Sequence, residues 1–371
     1  MSSLIFLLAA AFCLYTLFGY PLLLAWLARH PRPVHKKFTP RRVSVILPVY
    51  NGERWIGPKL DSLLALDYPA GLVEILVISD GSTDATDRIA AQYAARSAVR
   101  LLQVPRGGKA LALNRALAEA SGEILFFTDV RQQLSADSLR NLVACFADPA
   151  IGAASGELVI RQGKTSAETN VGLYWRYEKW IRTRLSRLDS VIGATGCIYA
   201  MRRDLATPLP ADTLADDMYL PLAAFFRGYR VILETSAKAF DDPTGLETEF
   251  RRKVRTLAGV YQVARFYPGL LGPRNRLWIH FISHKLARLL MPWALLAIAA
   301  SSFALPDPWR ICAWSVQALV YGLAALDVVV PEPWPLKRAT SPARTFVVLM
   351  AASLCAVAVL FVPPQKLWKT R

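Results

Sequence analysis

The chain has 371 residues and carries 44 Lys and Arg against 28 Asp and Glu, which gives a formal net charge of +16. Hydrophobic residues make up 54% of the sequence and the mean hydropathy is +0.29, a high value for a soluble protein. No zinc-finger, RNP or helix-turn-helix pattern accompanies the charge, so we expect anionic membrane lipids, and no nucleic acid, as partners. The five cysteines show no CxxC or metal-ligand spacing and are expected to be reduced and buried.

The hydrophobic residues are concentrated in four blocks. These blocks are Leu4 to Leu27, Leu286 to Leu305, Ile311 to Val330 and Phe346 to Val362. A membrane-spanning helix needs about 20 apolar residues, and the last block, with about 17, is at the short end of the range. A cleaved signal peptide is disfavoured for the first block, because the block is too long and no basic residue precedes it. The blocks therefore predict a multi-pass protein of the plasma (inner) membrane.

Basic residues beside the blocks predict how the chain is oriented. Lys and Arg follow the first block at positions 29, 32, 36, 37, 41 and 42. Because positive charge marks the cytoplasmic side, residues from about 30 onward are expected to be cytosolic. The loop after the third block, with Lys337, Arg338 and Arg344, is expected on the same side. The fourth block would then place the basic tail (363–371) outside, so either that block re-enters the membrane or the short tail is tolerated.

Between the first two blocks, strand patterns alternate with helix patterns. Expected strands are Val43 to Pro48, Val73 to Ser79, Val99 to Val104, Glu123 to Thr128, Ile151 to Leu158 and Val191 to Ala200. Expected helices are Trp55 to Leu66, Ala85 to Arg96, Ala110 to Ala120, Tyr174 to Leu188 and Asp217 to Arg227. This alternation predicts an α/β fold with a mostly parallel, doubly wound sheet. Ligands of such sheets bind beyond the carboxyl ends of the strands.

Polar residues follow several of these strands. Asp80 closes the second strand and Asp129 the fourth, where carboxylates can bind a ribose, a base or a metal ion on phosphate. Taken alone, Asp80 is better explained as a turn residue, but the two strand ends together favour a binding role. Gly107 to Lys109 precede a helix whose amino end favours phosphate, although a plain turn explains them as well. Asp216 and Asp217 open another helix, either as capping residues or as a general base.

Six motifs occur in one order along the chain. They are LPVYN (Leu47 to Asn51), SDGSTD (Ser79 to Asp84), GGKALALN (Gly107 to Asn114), FTD (Phe127 to Asp129), GATGCIYAMRR (Gly193 to Arg203) and ADD (Ala215 to Asp217). In this order they resemble glycosyltransferase family two, in its membrane-bound branch of cellulose, hyaluronan and chitin-oligosaccharide synthases and exopolysaccharide transferases. The resemblance extends over about Val43 to Gly259.

The resemblance implies a GT-A (Rossmann-like) fold, an inverting mechanism, a UDP-sugar donor and a Mg²⁺ or Mn²⁺ cofactor. It assigns the nucleotide pocket to Pro48, Tyr50, Asn51 and Asp80, and puts Lys109 near the uracil or the diphosphate. Asp129 matches the first Asp of the metal-binding DxD motif, and Asp217 matches the catalytic base of the TED motif. The acceptor side would be formed by Gly193, Thr195, Gly196, Cys197 and Asp216.

Two departures from the family pattern bear on function. The DxD position reads Asp129-Val130-Arg131, so one carboxylate would hold the metal with the diphosphate, or Arg131 would pair with phosphate directly. The QxxRW motif of processive synthases is degraded, with Arg255 and Thr256 at its Arg and Trp positions. Arg255 is still expected to grip the diphosphate. The missing tryptophan argues against long processive synthesis.

Two aromatic and basic clusters have open interpretations. Tyr174, Trp175, Tyr177 and Trp180 alternate with basic residues, which suits either the membrane interface beside a lipid-linked acceptor or ordinary core packing. His284, Lys285 and Arg288 precede the second apolar block. Those three either snorkel to headgroups or bind a lipid pyrophosphate.

The predicted organisation and function combine these observations. The expected segments are an N-terminal transmembrane helix (1–29), a basic cytosolic linker (30–42), a catalytic domain (43–272), an interfacial segment (273–288), C-terminal transmembrane helices (286–362) and a tail (363–371). The predicted activity is inverting sugar transfer to a lipid-linked or growing glycan at the cytosolic membrane face, for cell-surface or extracellular polysaccharide. Alternatives are a processive synthase, or a catalytically silent subunit that binds nucleotide sugar beside other polysaccharide-assembly proteins.

Overall fold

A computed structural model describes residues 1–95, 98–161 and 165–363. The chain divides into two compact units. The helical unit comprises residues 1–29, 162–181 and 242–371, and the sheet unit comprises residues 30–161 and 182–241. The catalytic segment expected at 43–272 is therefore shared between the two units. The basic tail lies beyond residue 363, outside the described residues.

Helices and strands alternate through the sheet unit, and the described residues of the helical unit form helices and their connections. In chain order the helices are α1 (Ser2–Leu14), α2 (Tyr20–Leu27), α3 (Glu53–Leu64), α4 (Thr86–Ala94), α5 (Lys109–Glu119), α6 (Ser138–Ala144), α7 (Ser166–Leu188), α8 (Asp216–Phe226), α9 (Leu246–Phe266), α10 (Trp278–His280), α11 (Ala287–Ser302), α12 (Trp309–Leu326) and α13 (Lys337–Ala356). The strands are β1 (Val43–Val49), β2 (Val73–Asp80), β3 (Val99–Val104), β4 (Ile124–Phe127), β5 (Gln133–Leu134), β6 (Ile151–Ile160), β7 (Tyr199–Arg202) and β8 (Arg230–Asp241).

One sheet organises the sheet unit. Among the described residues its strand order is β3-β2-β1-β4-β7-β6-β8-β5. The first four strands are parallel, with Val43 of β1 aligned to Val73 of β2 and to Ile124 of β4. Strand β7 runs antiparallel to both β4 and β6. The apolar runs of β1, β2 and β4 are buried on both faces of the sheet, as expected for parallel strands covered by helices. Their carboxyl ends, and the loops that follow, meet at one edge.

The expected elements of the first half occur within a few residues of their predicted bounds. The strand expected at Val191 to Ala200 is wrong: only Tyr199–Arg202 pairs in the sheet. The preceding segment turns instead, since the backbone at Thr195 and Ile198 forms an isolated antiparallel bridge. Gly193 and Gly196 explain this, because glycine in an apolar run favours a bend over a regular strand.

Four helices of the helical unit are long and apolar enough to cross a membrane, counted over the described residues. They span Ser2–Leu27, Trp278–Ser302, Trp309–Leu326 and Lys337–Leu360. The last is longer than its apolar block, because the basic residues 337, 338 and 344, expected in a loop, lie inside α13. Cys312 and Cys355 are exposed rather than buried, since they lie on α12 and α13, whose outer faces are apolar without a covering of protein.

Candidate active site

Asp80 ends β2, and its carboxylate holds the glycine-rich loop in front of α5. Asp80 is 3% exposed and accepts hydrogen bonds from the backbone N–H of Gly107 at 2.7 Å and of Gly108 at 3.0 Å. The Arg106 guanidinium pairs with the same carboxylate. Gly108 has φ +92°, a conformation that favours glycine. The oxygens of Asp80 are thus occupied by the loop, and its contact with a nucleotide stays a prediction.

Tyr50 and Arg106 form a flat surface at the end of β1. The guanidinium carbon of Arg106 lies 3.6 Å from the centroid of the Tyr50 ring, within the range of a cation–π contact. Tyr50 is 38% exposed, and Pro48 is half-buried in β1. Such an exposed planar surface can stack on a nucleobase. Arg106 was not a sequence candidate, although it directly precedes the glycine pair.

Asn51 joins two loops of the sheet edge. Its φ is +49°, its Oδ1 accepts a hydrogen bond from the Thr83 backbone N–H at 2.8 Å, and its own N–H donates to Ser82 Oγ at 3.1 Å. Asn tolerates this left-handed conformation better than most residues. Asn51 therefore fixes the loop after β1 against the loop after β2, and its predicted contact with the nucleotide remains untested.

Lys109, the first residue of α5, connects two of the predicted carboxylates. Its Nζ lies 3.0 Å from Asp129 Oδ1 and 3.2 Å from Asp216 Oδ2. Burial alone would lower the pKa of Lys109, but Asp129, Asp216 and Asp217 outweigh burial and raise it well above its usual value. Lys109 therefore stays charged at any working pH. Through these two ion pairs Lys109 links Asp129, which follows β4, to Asp216 at the start of α8.

Asp217 lies beside the loop predicted to face the acceptor. A Cβ added at Gly196 would be 3.0 Å from Asp217 Oδ2, so a side chain there would have to displace the carboxylate by a few tenths of an ångström. The Ala194 N–H donates to the Asp217 carbonyl at 2.7 Å. Burial, followed by the neighbouring Asp216, raises the pKa of Asp217 to about 6. A carboxylate with this pKa can hold or release a proton near neutral pH.

The predicted acceptor loop, residues 193–197, is held from beneath by Arg182. Arg182 donates to Thr195 Oγ1 at 2.8 Å, to Ser155 Oγ at 2.9 Å and to the Gly193 carbonyl at 3.2 Å. The Thr195 N–H in turn donates to Ser155 Oγ at 2.8 Å. Thr195 is 7% exposed and Cys197 is 5% exposed. Both therefore shape the loop, while Gly193 and Gly196 are its more accessible members.

Arg131 is paired within the protein. Its Nη2 lies 2.5 Å from Asp241 Oδ2 at the end of β8, and Gln132 Nε2 donates to the same oxygen at 2.9 Å. Direct pairing of Arg131 with phosphate would compete with this ion pair. Arg255, the other predicted diphosphate contact, is exposed on α9 of the helical unit, and its role stays a prediction.

Lys59 is a residue of this region that sequence reasoning missed. It is 0% exposed, and its Nζ donates to Thr128 Oγ1 at 2.7 Å and to the Gln132 carbonyl at 2.6 Å. Thr128 Oγ1 donates onward to the Cys197 carbonyl at 2.9 Å. Burial lowers the pKa of Lys59 to about 8. A signal was present: Lys59 falls on the apolar face of α3, whose other members are buried.

A divalent cation at this site would have Asp129 as its protein carboxylate, in competition with Lys109, whose Nζ lies 3.0 Å from Asp129 Oδ1. Among the described residues, no three His, Cys, Asp or Glu side chains are grouped closely enough to hold a metal. Asp129 is 38% exposed at its side chain, which leaves room for a shared ligand. Mg²⁺ is commonly bound by one or two carboxylates together with substrate phosphates. Asp129 and a diphosphate would thus be sufficient.

The strand order β3-β2-β1-β4 places ligands beyond the carboxyl ends of these strands, and Lys109 lies there among three carboxylates. Fold and charge together define a nucleotide-sugar transferase of the GT-A class. A solved structure supports this: the mannosyltransferase PcManGT from Pyrobaculum calidifontis, in complex with GDP-Man and Mn²⁺, matches with a TM-score of 0.75 at 26% identity, covering 96% of this chain and 99% of that one. The predicted GT-A fold is confirmed.

Family models identify the chain more narrowly. The model described as Glycosyl transferase family 2 matches residues 44–207, and Glycosyl transferase family group 2 matches residues 131–330. The chain belongs to glycosyltransferase family 2, as its motifs predicted.

Two relatives with assigned activities are only distantly similar to this chain. The beta-monoglucosyldiacylglycerol synthase of Synechocystis sp. is 26% identical over 316 residues, which cover 79% of this chain and 65% of that protein. The poly(ribitol-phosphate) beta-N-acetylglucosaminyltransferase TarS of Staphylococcus aureus is 33% identical over 105 residues, or 28% of this chain and 18% of that protein. The chain thus spans less than two thirds of the length of these relatives.

Proposed function

We propose that this chain is an inverting glycosyltransferase that moves a hexose from a nucleotide sugar to a glycolipid or glycan acceptor. The observation that carries the proposal is the position of Asp217, a carboxylate with a raised pKa beside Gly196 and the group formed by Lys109, Asp129 and Asp216. A base, an anion-binding cation and room for an acceptor hydroxyl are the requirements of direct displacement at a sugar carbon.

In the proposed reaction the acceptor hydroxyl attacks the anomeric carbon from the face opposite the diphosphate. Its proton passes to the Asp217 carboxylate as the new C–O bond forms, and the bond from the anomeric carbon to the diphosphate breaks with inversion. Lys109 and the amino end of α5 stabilise the negative charge on the departing nucleoside diphosphate. A divalent cation held by Asp129 would add positive charge to that leaving group.

The donor base is expected to stack on Tyr50 with its neighbouring Arg106. UDP is the nucleotide that the motif resemblance implies, while PcManGT was solved with GDP-Man. A stacking surface accepts both the pyrimidine of UDP and the purine of GDP. The choice of nucleotide is therefore the first question for a donor screen.

The acceptor is proposed to be lipid-linked and to be used at the cytosolic face of the plasma (inner) membrane. Four apolar helices in the described chain support membrane attachment, and the Synechocystis relative is named for a glucosylated diacylglycerol. Thr256 in place of the motif tryptophan favours single or short additions over a long polymer. A ladder of long polymer made by the purified chain would contradict this part.

The test is a donor screen with matched variants. The full chain in membranes is given UDP- and GDP-sugars with a membrane lipid extract, and nucleoside diphosphate release is measured with and without EDTA.

Asp217→Asn should keep donor binding and lose transfer by about 10²- to 10⁴-fold. The control Asp67→Asn changes an exposed carboxylate, paired only at the surface with Arg140, and should transfer normally. Near-normal turnover of Asp217→Asn would refute the base assignment, and full activity in EDTA would remove the metal from the proposal.

A further inference from the structure

The helical unit contains a buried ionic cluster that sugar transfer does not use. The side chain of Glu178 on α7 is 8% exposed and lies 3.1 Å from Lys285 Nζ, 2.7 Å from Arg288 Nη1 and 3.3 Å from His284 Nε2. Burial alone would raise the pKa of Glu178, but Lys285, His284 and Arg288 outweigh burial and hold it well below its usual value. Glu178 is therefore charged, and its carboxylate pairs with Lys285 and Arg288 and contacts His284.

Two aromatic rings of α7 extend this cluster to α9. Lys253 Nζ lies 4.0 Å from the centroid of the Tyr174 ring and 4.8 Å from that of Trp175, and the Arg252 guanidinium carbon is 5.1 Å from Trp175. Glu249, which is 1% exposed, pairs with Arg252 at 2.9 Å and with Lys253 at 3.6 Å. On the other side, Arg288 approaches the same Tyr174 ring at 5.1 Å. We call this group the aromatic–cation cluster; its members are Tyr174, Trp175, Glu178, Glu249, Arg252, Lys253, Lys285 and Arg288.

The aromatic–cation cluster carries more positive than negative charge. Within the described residues it holds four Lys or Arg and two Glu, an excess of two positive charges with the imidazole of His284 left aside. Lys253 and Arg288 approach one tyrosine ring without a carboxylate shared between them. Like charges held close together where water is scarce repel strongly. An anion bound among them would relieve that repulsion.

The unpaired indole N–H of Trp175 favours the same kind of ligand, an anion. The indole Nε1 of Trp175 is buried and has no hydrogen-bond partner among the described residues. An indole N–H can only donate, and leaving a buried donor unpaired costs about 1–3 kcal/mol. Both carboxylate oxygens of Glu249 are likewise buried without a hydrogen-bond partner among the described residues. The surplus cations and the indole N–H together suit an anion with several oxygen acceptors, as a phosphate group has.

The position of the cluster indicates where that phosphate comes from. Lys285 and Arg288 lie in the first half of the candidate span Trp278–Ser302, and Lys285 belongs to a π-helical turn over Phe281–Leu286. Such turns are frequent at functional sites, and ionisable residues inside a span mark binding sites by default. Cationic side chains near the end of a span can reach the lipid headgroups. We propose that the aromatic–cation cluster binds the phosphate group of a membrane lipid.

Binding can be measured without any transfer reaction. The full chain in non-ionic detergent micelles is titrated with short-chain phosphatidic acid, and with the matching diacylglycerol as the neutral probe. We expect saturable binding of phosphatidic acid alone, weakened roughly tenfold in Lys253→Gln and in Lys285→Gln. Arg251→Gln is the matched control, since it removes one positive charge from the same helix at an exposed position paired only with Glu247.

Three results would overturn the proposal. These are no saturable binding by the unmodified chain, equal affinity for diacylglycerol, or a loss in Arg251→Gln as large as in Lys253→Gln. Unchanged thermal unfolding of each variant establishes that the loss is local. Because no donor is present, failure of sugar transfer would leave this result intact.

A second measurement identifies the source of the phosphate, and this arm rests on the proposed function. If the site takes the acceptor lipid, short-chain phosphatidic acid competes with that acceptor and Lys253→Gln raises the acceptor KM. If it takes a neighbouring lipid, phosphatidylglycerol in nanodiscs raises the transfer rate of the unmodified chain but not of Lys253→Gln.

Discussion

Asp217 is a largely buried carboxylate whose neighbour Asp216 further opposes its ionisation. Its pKa is raised to about 6 by burial and by Asp216. A general base must be ionised to accept a proton, so the transfer rate should rise with pH through about 6 and then level off. A pH–rate profile of kcat checks this. A profile that is flat across the mildly acidic range would contradict Asp217 as the base.

The same shift predicts an effect on stability. A carboxyl group whose pKa is raised by folding binds its proton more tightly in the folded chain, so its ionised form costs stability at neutral pH. That cost disappears as the pH falls below the unfolded pKa of about 4. Asp217→Asn should therefore raise the free energy of unfolding by about 1–3 kcal/mol at neutral pH and by little at acidic pH. Thermal unfolding at the two pH values measures the difference.

Lys59 is expected to act on catalysis through the residues it holds. Its hydrogen bonds to Thr128 and to the Gln132 carbonyl enclose the turn that carries Asp129. Lys59→Met keeps the length of the side chain and removes both bonds. A misplaced turn should lower kcat by about 10- to 100-fold, with a folded protein by circular dichroism. Lys238→Met, at an exposed position of β8, is the control, and equal kcat in both variants would exclude this role.

At the scale of elements, the acceptor loop and the start of α8 depend on a close approach. A Cβ at position 196 would meet Asp217 Oδ2 at 3.0 Å, closer than an ordinary van der Waals contact. Gly196→Ala should displace the carboxylate and lower kcat by about tenfold or more, while donor binding is kept.

The control for that change is Gly71→Ala, because a Cβ at Gly71 meets nothing within 4 Å. Steady-state kinetics with the donor screen's best substrate compare the two variants. Equal activities would mean that Asp217 can move aside at no catalytic cost.

The sequence could predict elements that depend on local pattern and not contacts that depend on distant partners. α8 begins at Asp216, one residue before its expected start, because apolar periodicity is a local signal, although neither aspartate side chain caps the helix. The partners of Lys59 are about seventy positions away, and Arg131 meets Asp241 across 110 positions, so neither pair is visible in a linear pattern. The apolar run from Val191 predicts a strand wrongly, since hydrophobicity alone does not separate a buried turn from a buried strand.

For the whole molecule, orientation in the membrane is the main open prediction. With the sheet unit in the cytosol, the segment between the second and third spans should face outward and the segment between the third and fourth should face inward. In a variant whose exposed Cys312 and Cys355 are replaced by Ser, Asp307→Cys should react with a membrane-impermeant maleimide in intact cells. Trp334→Cys should react only after the membrane is opened. The reverse pattern would place the sheet unit outside.

The charges around Lys109 determine in which form the sugar nucleotide can bind to the site. In this structure one ammonium group faces the carboxylates at 129 and 216, with the carboxylate at 217 contributing to the same field. A bare nucleoside diphosphate would bring its negative charge close to these three carboxylates, whose neighbouring cations are already engaged with them. We therefore expect the sugar nucleotide to be captured as its cation complex, so that the affinity for the ion and the affinity for the nucleotide rise together by the reciprocity of linked equilibria. The transfer rate would then depend on the concentration of the magnesium–donor complex, and not on the donor or the free ion separately.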